Sequence, residues 1–335
     1  VYVLCVDAGR SSVKVKGSEG FEDKFLSILS TVDYKFISSF QWVKNSRFVK
    51  YGNYYYVVGD QASRYSANPV YVNNDELFIG NIKFFVIESI IRLWEHLGGD
   101  ERYLELKLAL DLTYNNMYMK EQVKAVLKSI KKIKVKKKDG EHVINIDISG
   151  MFFFYQGWAG LMDYILDESG KFNGRDDILK GNGIVIDVGR STTDITHVRK
   201  LTPAEGESVE FGTVNIYHGV QKMIHDDMNL NKSLFDIEEA ISENRTFRTL
   251  RGKTVDMRKY MRKSVELRTD EFRQIILERI GNKTSDFVLF MGGGGSIFFE
   301  KLKKEFQIVE LSPEPIYANV RGMWKFLNKI KFKSV

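Results

Sequence analysis

Two aspartates, Asp7 and Asp187, open the same short pattern 180 residues apart. The first runs Asp7-Ala8-Gly9-Arg10-Ser11-Ser12 and reaches Lys14; the second runs Asp187-Val188-Gly189-Arg190-Ser191-Thr192-Thr193 and reaches Asp194. Each copy follows an apolar run and leads into β-branched residues, which reads as strand, tight turn, strand. Glycine in such a turn permits positive φ and lets a ligand approach the backbone closely. Successive N–H groups then form a concave anion site, and the Ser and Thr hydroxyls add donors. One Asp-x-Gly turn is often only a turn. Two of them, one per domain, suit a polyphosphate clamped from opposite sides, with Asp7 and Asp187 flanking Mg²⁺ through its waters. Lys14 would bring a positive charge to the phosphates.

A glycine run supplies a third element. Gly292, Gly293, Gly294, Gly295 and Ser296 follow the apolar stretch Asp286–Met291 and precede a helical pattern. Each glycine costs backbone entropy, so four in a row are hard to justify by packing and suit close contact with a ligand at a helix N-terminus. The Gly-x4-Gly-Lys-Ser/Thr pattern of the P-loop is absent. Two helix starts complete the set: Gln156-Gly157-Trp158-Ala159-Gly160, and a last helix from about Pro315 to Leu327 carrying Ala318 and Gly322. Small residues four apart would let that helix cross another closely, with the Gly157–Gly160 region as its expected neighbour.

The elements that must position these groups follow from periodicity. Strands over residues 1–28 lead into a β-rich insert at about 31–75. Helices are expected at Ile82–Leu97, Met119–Ile130, Gly219–Met228, Leu234–Ser242 and Asp256–Ile280. Strands are expected at Leu104–Leu112, Glu141–Ile148, Met151–Tyr155, Val209–Ile216 and Asp286–Met291. The polar segment Gly170–Gly183 is the expected domain junction. A 180-residue offset suits duplicated domains rather than solenoid repeats. We therefore expect an α/β chain of two lobes, residues 1–165 and 166–322, with a C-terminal helix at about 323–335 packing back on the first.

With 335 residues, 43% of them hydrophobic, the chain can bury two cores. A net charge of +6 is common in ordinary soluble proteins, and direct nucleic-acid binding is not expected from it. Lys131, Lys132, Lys134, Lys136, Lys137 and Lys138 could track a phosphate backbone. A solvated edge hairpin protected by lysines, turning at Asp139-Gly140, is the preferred reading. The single cysteine, Cys5, excludes an internal disulfide and a Cys-based zinc site. No stretch approaches the ~20 apolar residues of a membrane span, and no secretory leader is visible, so a cytoplasmic location without membrane association is expected.

In this order the motifs resemble the five of the actin superfamily, with its duplicated actin/RNase H-like domains around a central nucleotide cleft. These are two phosphate loops at Asp7–Lys14 and Asp187–Asp194, an adenosine loop at Met291–Ser296, and connecting helices at Gln156–Gly160 and Pro315–Gly322. The Tyr317–Gly322 and Gly59–Ala62 stretches are most similar to the plasmid-segregation actins of the ParM type and related archaeal actins. The resemblance implies ATP (or GTP) with Mg²⁺, hydrolysis, self-assembly into filaments and a DNA-binding adaptor as partner. It also implies that Gln156 orients the attacking water, since a neutral amide is no strong base. Arg10 and Arg190 depart from the small residues usual in the family. They either contact phosphate or point outward to carboxylates. Asp111-Leu112-Thr113-Tyr114 departs from the family's Gly-Leu-Pro. A small-molecule kinase of the same superfamily and a non-hydrolysing nucleotide switch remain alternatives.

Overall fold

The computed structural model describes residues 1–331 except 34, 36, 38–45, 66–69, 72–74, 243–245, 249–251, 253 and 282–283. The chain divides into two compact units, Val1–Gly174 with Tyr317–Val335, and Arg175–Ile316.

In the first unit the strands are β1 (Tyr2–Ala8), β2 (Ser12–Gly17), β3 (Glu22–Leu26), β4 (Ile28–Val32), β5 (Phe48–Tyr51), β6 (Tyr54–Val58), β7 (Val70–Tyr71), β8 (Tyr103–Leu112), β9 (Lys132–Lys137) and β10 (Gly140–Tyr155). They form one sheet in the order β3-β2-β1-β8-β10-β9-β5-β6-β4-β7. The helices are α1 (Asp60–Tyr65), α2 (Asp75–His96), α3 (Lys120–Lys128), α4 (Trp158–Ile165) and, from the C-terminus, α10 (Ala318–Lys331). Alternation along β8 sends Leu104, Leu106, Leu108, Leu110 and Leu112 into a core with α2 and α3. Ala109 turns the other way, into a core with Val3, Cys5, Phe154, Ala159, Val320 and Met323. The sheet is thereby covered on both faces, and Cys5 is an inert buried thiol.

The second unit contains α5 (Asp176–Lys180), β11 (Asn182–Val188), β12 (Thr193–Arg199), β13 (Thr202–Val209), α6 (Thr213–Met228), α7 (Leu234–Ser242), the small ribbon β14 (Phe247–Arg248) with β15 (Thr254–Val255), α8 (Met257–Ile280), β16 (Phe287–Met291), α9 (Gly295–Leu302) and β17 (Val309–Leu311). Its main sheet has the order β13-β12-β11-β16-β17. Two antiparallel hairpin pairings are followed by two parallel ones. The run β3-β2-β1-β8-β10 in the first unit has the same order and the same senses. The 180-residue repeat read from sequence thus corresponds to a repeated sheet topology, with each Asp-x-Gly turn in the first hairpin of its sheet.

Four expectations are corrected. The helix expected from Ile82 begins seven residues earlier, at Asp75. Glu141–Ile148 and Met151–Tyr155 are one strand, β10, carried through a register shift between Ile148 and Gly150. The lysine-rich β9 is not an edge, because it pairs with β10 on one side and with β5 of the insert on the other. Its Ile133 and Val135 enter the core. The strand expected at Val209–Ile216 is displaced: β13 ends at Val209 and α6 starts at Thr213. Gly212 and Asn215 explain the switch, since the Gly212 N–H donates to the Asn215 side chain at 3.0 Å and closes the first helical turn.

Candidate functional site

The first unit's turn follows directly from the β1–β2 register, which sets Asp7 opposite Lys14. Asp7 is buried, and its Oδ2 lies 3.3 Å from the Lys14 Nζ. Neither Gly9 nor Gly189 has a positive φ. Their need for glycine is spatial: a Cβ on Gly9 would sit 3.0 Å from the Ser12 carbonyl oxygen, and one on Gly189 would sit 2.9 Å from that of Thr192. Ser27 braces the first turn from outside the pattern. Its hydroxyl donates to the Gly9 carbonyl and its N–H to the Ser11 carbonyl. Arg10, Ser11 and Ser12 are half-buried on this turn.

Gln156 enters the same neighbourhood through β10. Its N–H donates to the Leu112 carbonyl at 2.9 Å, and Gly157 then turns the chain with φ 74° into α4. The start of α4 is capped from the C-terminal helix: Asn319 Oδ1 accepts from Gly157 N and Gly160 N, each at 3.1 Å. Asp111 stands on β8 one step beyond Leu110, the partner of Val6, and so beside Asp7. It is buried and faces the same side of the sheet as Ala109.

In the second unit Asp187 and Asp194 face each other across the β11–β12 hairpin, both buried. The Ser208 hydroxyl donates to Asp194. The turn is closed by Gly189 N to Thr192 O at 2.9 Å and seated on α6, whose Thr213 and Val214 N–H groups donate to the carbonyls of Gly189 and Arg190. Thr193 serves this frame, since its hydroxyl donates to the Phe211 carbonyl. Ser191 and Thr192 remain half-buried on the turn itself. Arg190 points to a carboxylate, with its Nε 2.9 Å from Oε1 of Glu238 on α7.

The glycine run lies against this turn. Gly294 N donates to the Val188 carbonyl at 2.8 Å, and Gly292 N to the Pro315 carbonyl at 2.9 Å. The four glycines are not equivalent. Gly292 has φ 80°, and a Cβ there would strike Asp187 Oδ1 and the Val188 carbonyl. A Cβ on Gly294 would come within 2.9 Å of Thr213 Cγ2. Packing therefore fixes these two. Gly293 is exposed, with no atom closer to its would-be Cβ than Ile316 at 4.0 Å, and Gly295 has ordinary contacts only. Ser296 is exposed in the first turn of α9. We expect Gly292→Ala to destabilise the chain by about 2 kcal/mol, through both the clash and the positive φ. Gly293→Ala is expected to leave the urea midpoint unchanged while weakening nucleotide binding. Equal binding by Gly293→Ala and wild type would remove that glycine from ligand contact.

Taken separately, each turn supplies backbone N–H donors, hydroxyls and a carboxylate, with the Lys14 ammonium on the first, and such groups suit phosphate or a hydrated hard cation. Among the described residues no three His, Cys, Asp or Glu side chains converge as a metal cage. Mg²⁺ fits such a place when phosphate and water complete its shell. The sequence reading missed Ser27, Asp111, Asn319 and Glu238. Only Asp111 carried a signal, as an acid interrupting the apolar run of β8.

Residues 185–304 match the family model described as archaeal actin homologue MreB-like, C-terminal. No curated protein matches the sequence. Among solved structures the chain is similar to the archaeal actin homologue Ta0583 in complex with ADP, at 17% identity and a TM-score of 0.76, covering 98% of this chain and 99% of that one. It is similar to a subunit of a 15-stranded ParM filament from Clostridium botulinum, at 20% identity and a TM-score of 0.74, covering 98% and 99%. It is also similar to the apo ParM protein of psk41, at 17% identity and a TM-score of 0.70, covering 99% and 98%. The turns, the glycine run and the two helix starts therefore lie in a duplicated actin-like fold similar to that of ParM and the archaeal actin homologue, and residues 185–304 match the archaeal MreB-like C-terminal family model.

Proposed function

We propose that this chain is a Mg²⁺-dependent NTP hydrolase whose nucleotide state governs its assembly into filaments. The observation that carries the reading is the repeated Asp-x-Gly turn, set at the same place in two sheets of the same topology, with a glycine run seated against the second copy. The ADP in one structural relative and the filament formed by another agree with it. In this reading the Gly9–Ser12 and Gly189–Thr192 backbones hold the phosphates, and Lys14 neutralises part of their charge. Bound Mg²⁺ would supply further charge neutralisation, with Asp7 and Asp187 accepting hydrogen bonds from its waters. Gln156, anchored at Leu112 and followed by a capped helix, orients the attacking water through its carboxamide. Gly292–Ser296 would receive the nucleoside. Transport of plasmid DNA through an adaptor and a cytoplasmic setting extend the same proposal. No described helix is long and apolar enough to cross a membrane.

Sedimentation of the chain with Mg-ATP, Mg-GTP, Mg-ADP or no nucleotide, with phosphate release followed in parallel, tests the reading. Pelleting that requires a triphosphate, accompanied by phosphate release, is expected. Gln156→Ala should still bind nucleotide but hydrolyse it about 10²-fold more slowly, giving pellets that persist longer. Phosphate release without pelleting at any concentration would remove the filament. Weakened binding with normal turnover per bound nucleotide would remove the role given to Gln156.

A further inference from the structure

Arg190 does two separate things. Its backbone carbonyl accepts the Val214 N–H and helps seat the second turn, while its side chain leaves the turn for α7. There the guanidinium grips Glu238, with Nε 2.9 Å and a terminal nitrogen 2.7 Å from the same carboxylate oxygen. The two side chains are only 23% and 22% exposed. Tyr217 lies beside them, and burial, with the Glu238 charge, raises its phenol above the ordinary tyrosine range. Withdrawing an ion pair this far from water has a desolvation cost, so it is weak evidence for a purely stabilising role.

Its place in the chain is more informative. Arg190 stands between Gly189 and Ser191, on the turn to which we assign phosphate, so the guanidinium is tethered within one side-chain length of any anion bound there. Its planar fork of donors fits phosphate as well as carboxylate. A phosphate arriving on the turn would also repel the Glu238 carboxylate. Seating of α7 does not depend on the pair, because Ile237 and Ala240 bury its inner face with Val220, Ile224 and Tyr260.

We infer that Arg190 is a phosphate-reading residue held in reserve by Glu238, and that bound nucleotide takes over the guanidinium as Glu238 is released. This inference rests on the nucleotide reading above. Glu238 is then a competitor of the ligand, so its loss strengthens binding. Nucleotide binding is coupled to α7 by the same exchange.

The test compares a nucleoside diphosphate with its nucleoside, ADP with adenosine and GDP with guanosine, by calorimetry and competition on the full chain with Mg²⁺. Arg190→Ala should weaken the diphosphate about tenfold and leave the nucleoside unchanged. Glu238→Gln should tighten the diphosphate about three- to tenfold, again without effect on the nucleoside. In the double variant the gain from Glu238→Gln should vanish, because no guanidinium remains to be freed. Arg190→Lys, which keeps the charge and loses the fork, should fall between wild type and Arg190→Ala and shows that folding is not the cause. A structural pair predicts the same sign for both single variants. Weakening of the diphosphate by Glu238→Gln, or equal shifts for the nucleoside, would overturn the exchange. A wild-type chain that binds neither diphosphate would overturn the nucleotide reading itself.

Discussion

Replacing Gly322 by alanine is expected to lower the stability of the first unit by about 3 kcal/mol or more, the upper range for overpacking. A Cβ at this position on α10 would be driven into the Ala159 carbonyl of α4 and would lie 2.8 Å from the Asp163 amide nitrogen. Both obstacles are helix backbone, which cannot rotate aside as a side chain can. The helices would have to part, thinning the contacts of Val320, Met323 and Leu327 with Phe154 and Ala159. Two polar links would loosen with them: the 2.8 Å pair between Lys325 and Asp163, and the Asn319 cap on Gly157 and Gly160. The Asp163 carboxyl is already pushed above its ordinary range by burial, with Lys325 opposing that shift, so separation of the helices would weaken what keeps it charged. A fall of about 1 M in the urea midpoint is the expected reading. A wild-type midpoint would mean that the crossing is not the tight contact described here. Nucleotide hydrolysis should fall as well, because the same cap fixes the chain next to Gln156.

That crossing was legible in sequence, and the reason shows what else could be. Close helix approach permits few residue types, so Ala318 and Gly322 at four-residue spacing declare it locally. The two Asp-x-Gly turns are legible for the same reason. Asp, Gly and small hydroxyl residues must sit within six positions, and the second copy repeats them. Ser27, Asn319 and Glu238 are different. Each is one polar side chain acting on a turn or helix start distant in sequence, and nothing in its surroundings distinguishes it from a surface residue. The lysines of β9 misled for a related reason. Alternation of Ile133 and Val135 with lysines reveals a strand with one wet face, but pairing with β5 is set by the insert, some 80 residues earlier. At Val209–Ile216 the β-branched run favours a strand, and the Gly212–Asn215 turn overrides it. The four glycines look alike as letters. Only the positions of Asp187, Val188 and Thr213 separate the two demanded by packing from the two that are not.

Asp187→Ala is expected to abolish Mg²⁺-dependent turnover, a loss of at least about 10²-fold, while leaving the chain without nucleotide at least as stable as wild type. The two halves of this expectation have one cause. Asp187 and Asp194 are directly opposed across β11 and β12, and each is only 7% exposed. Wherever both carboxylates are ionised they repel, and burial makes that repulsion harder to screen. Alanine removes one of them and also frees the space that Gly292 must concede to the Asp187 carboxylate. In the first unit the corresponding position seven residues on is Lys14, 3.3 Å from Asp7, so truncating Asp7 would separate an ion pair and cost stability. The two aspartates of the repeat should therefore respond differently in the absence of ligand and alike in its presence. Thermal unfolding with and without Mg-nucleotide separates the cases. For Asp187→Ala the midpoint without nucleotide should hold or rise, and the further rise that wild type gains from Mg-nucleotide should disappear. A large drop in the nucleotide-free midpoint would make Asp187 a structural residue of the hairpin. Undiminished turnover would remove it from the site. Both outcomes together would mark Asp187 as a residue that serves a bound Mg-nucleotide rather than the hairpin.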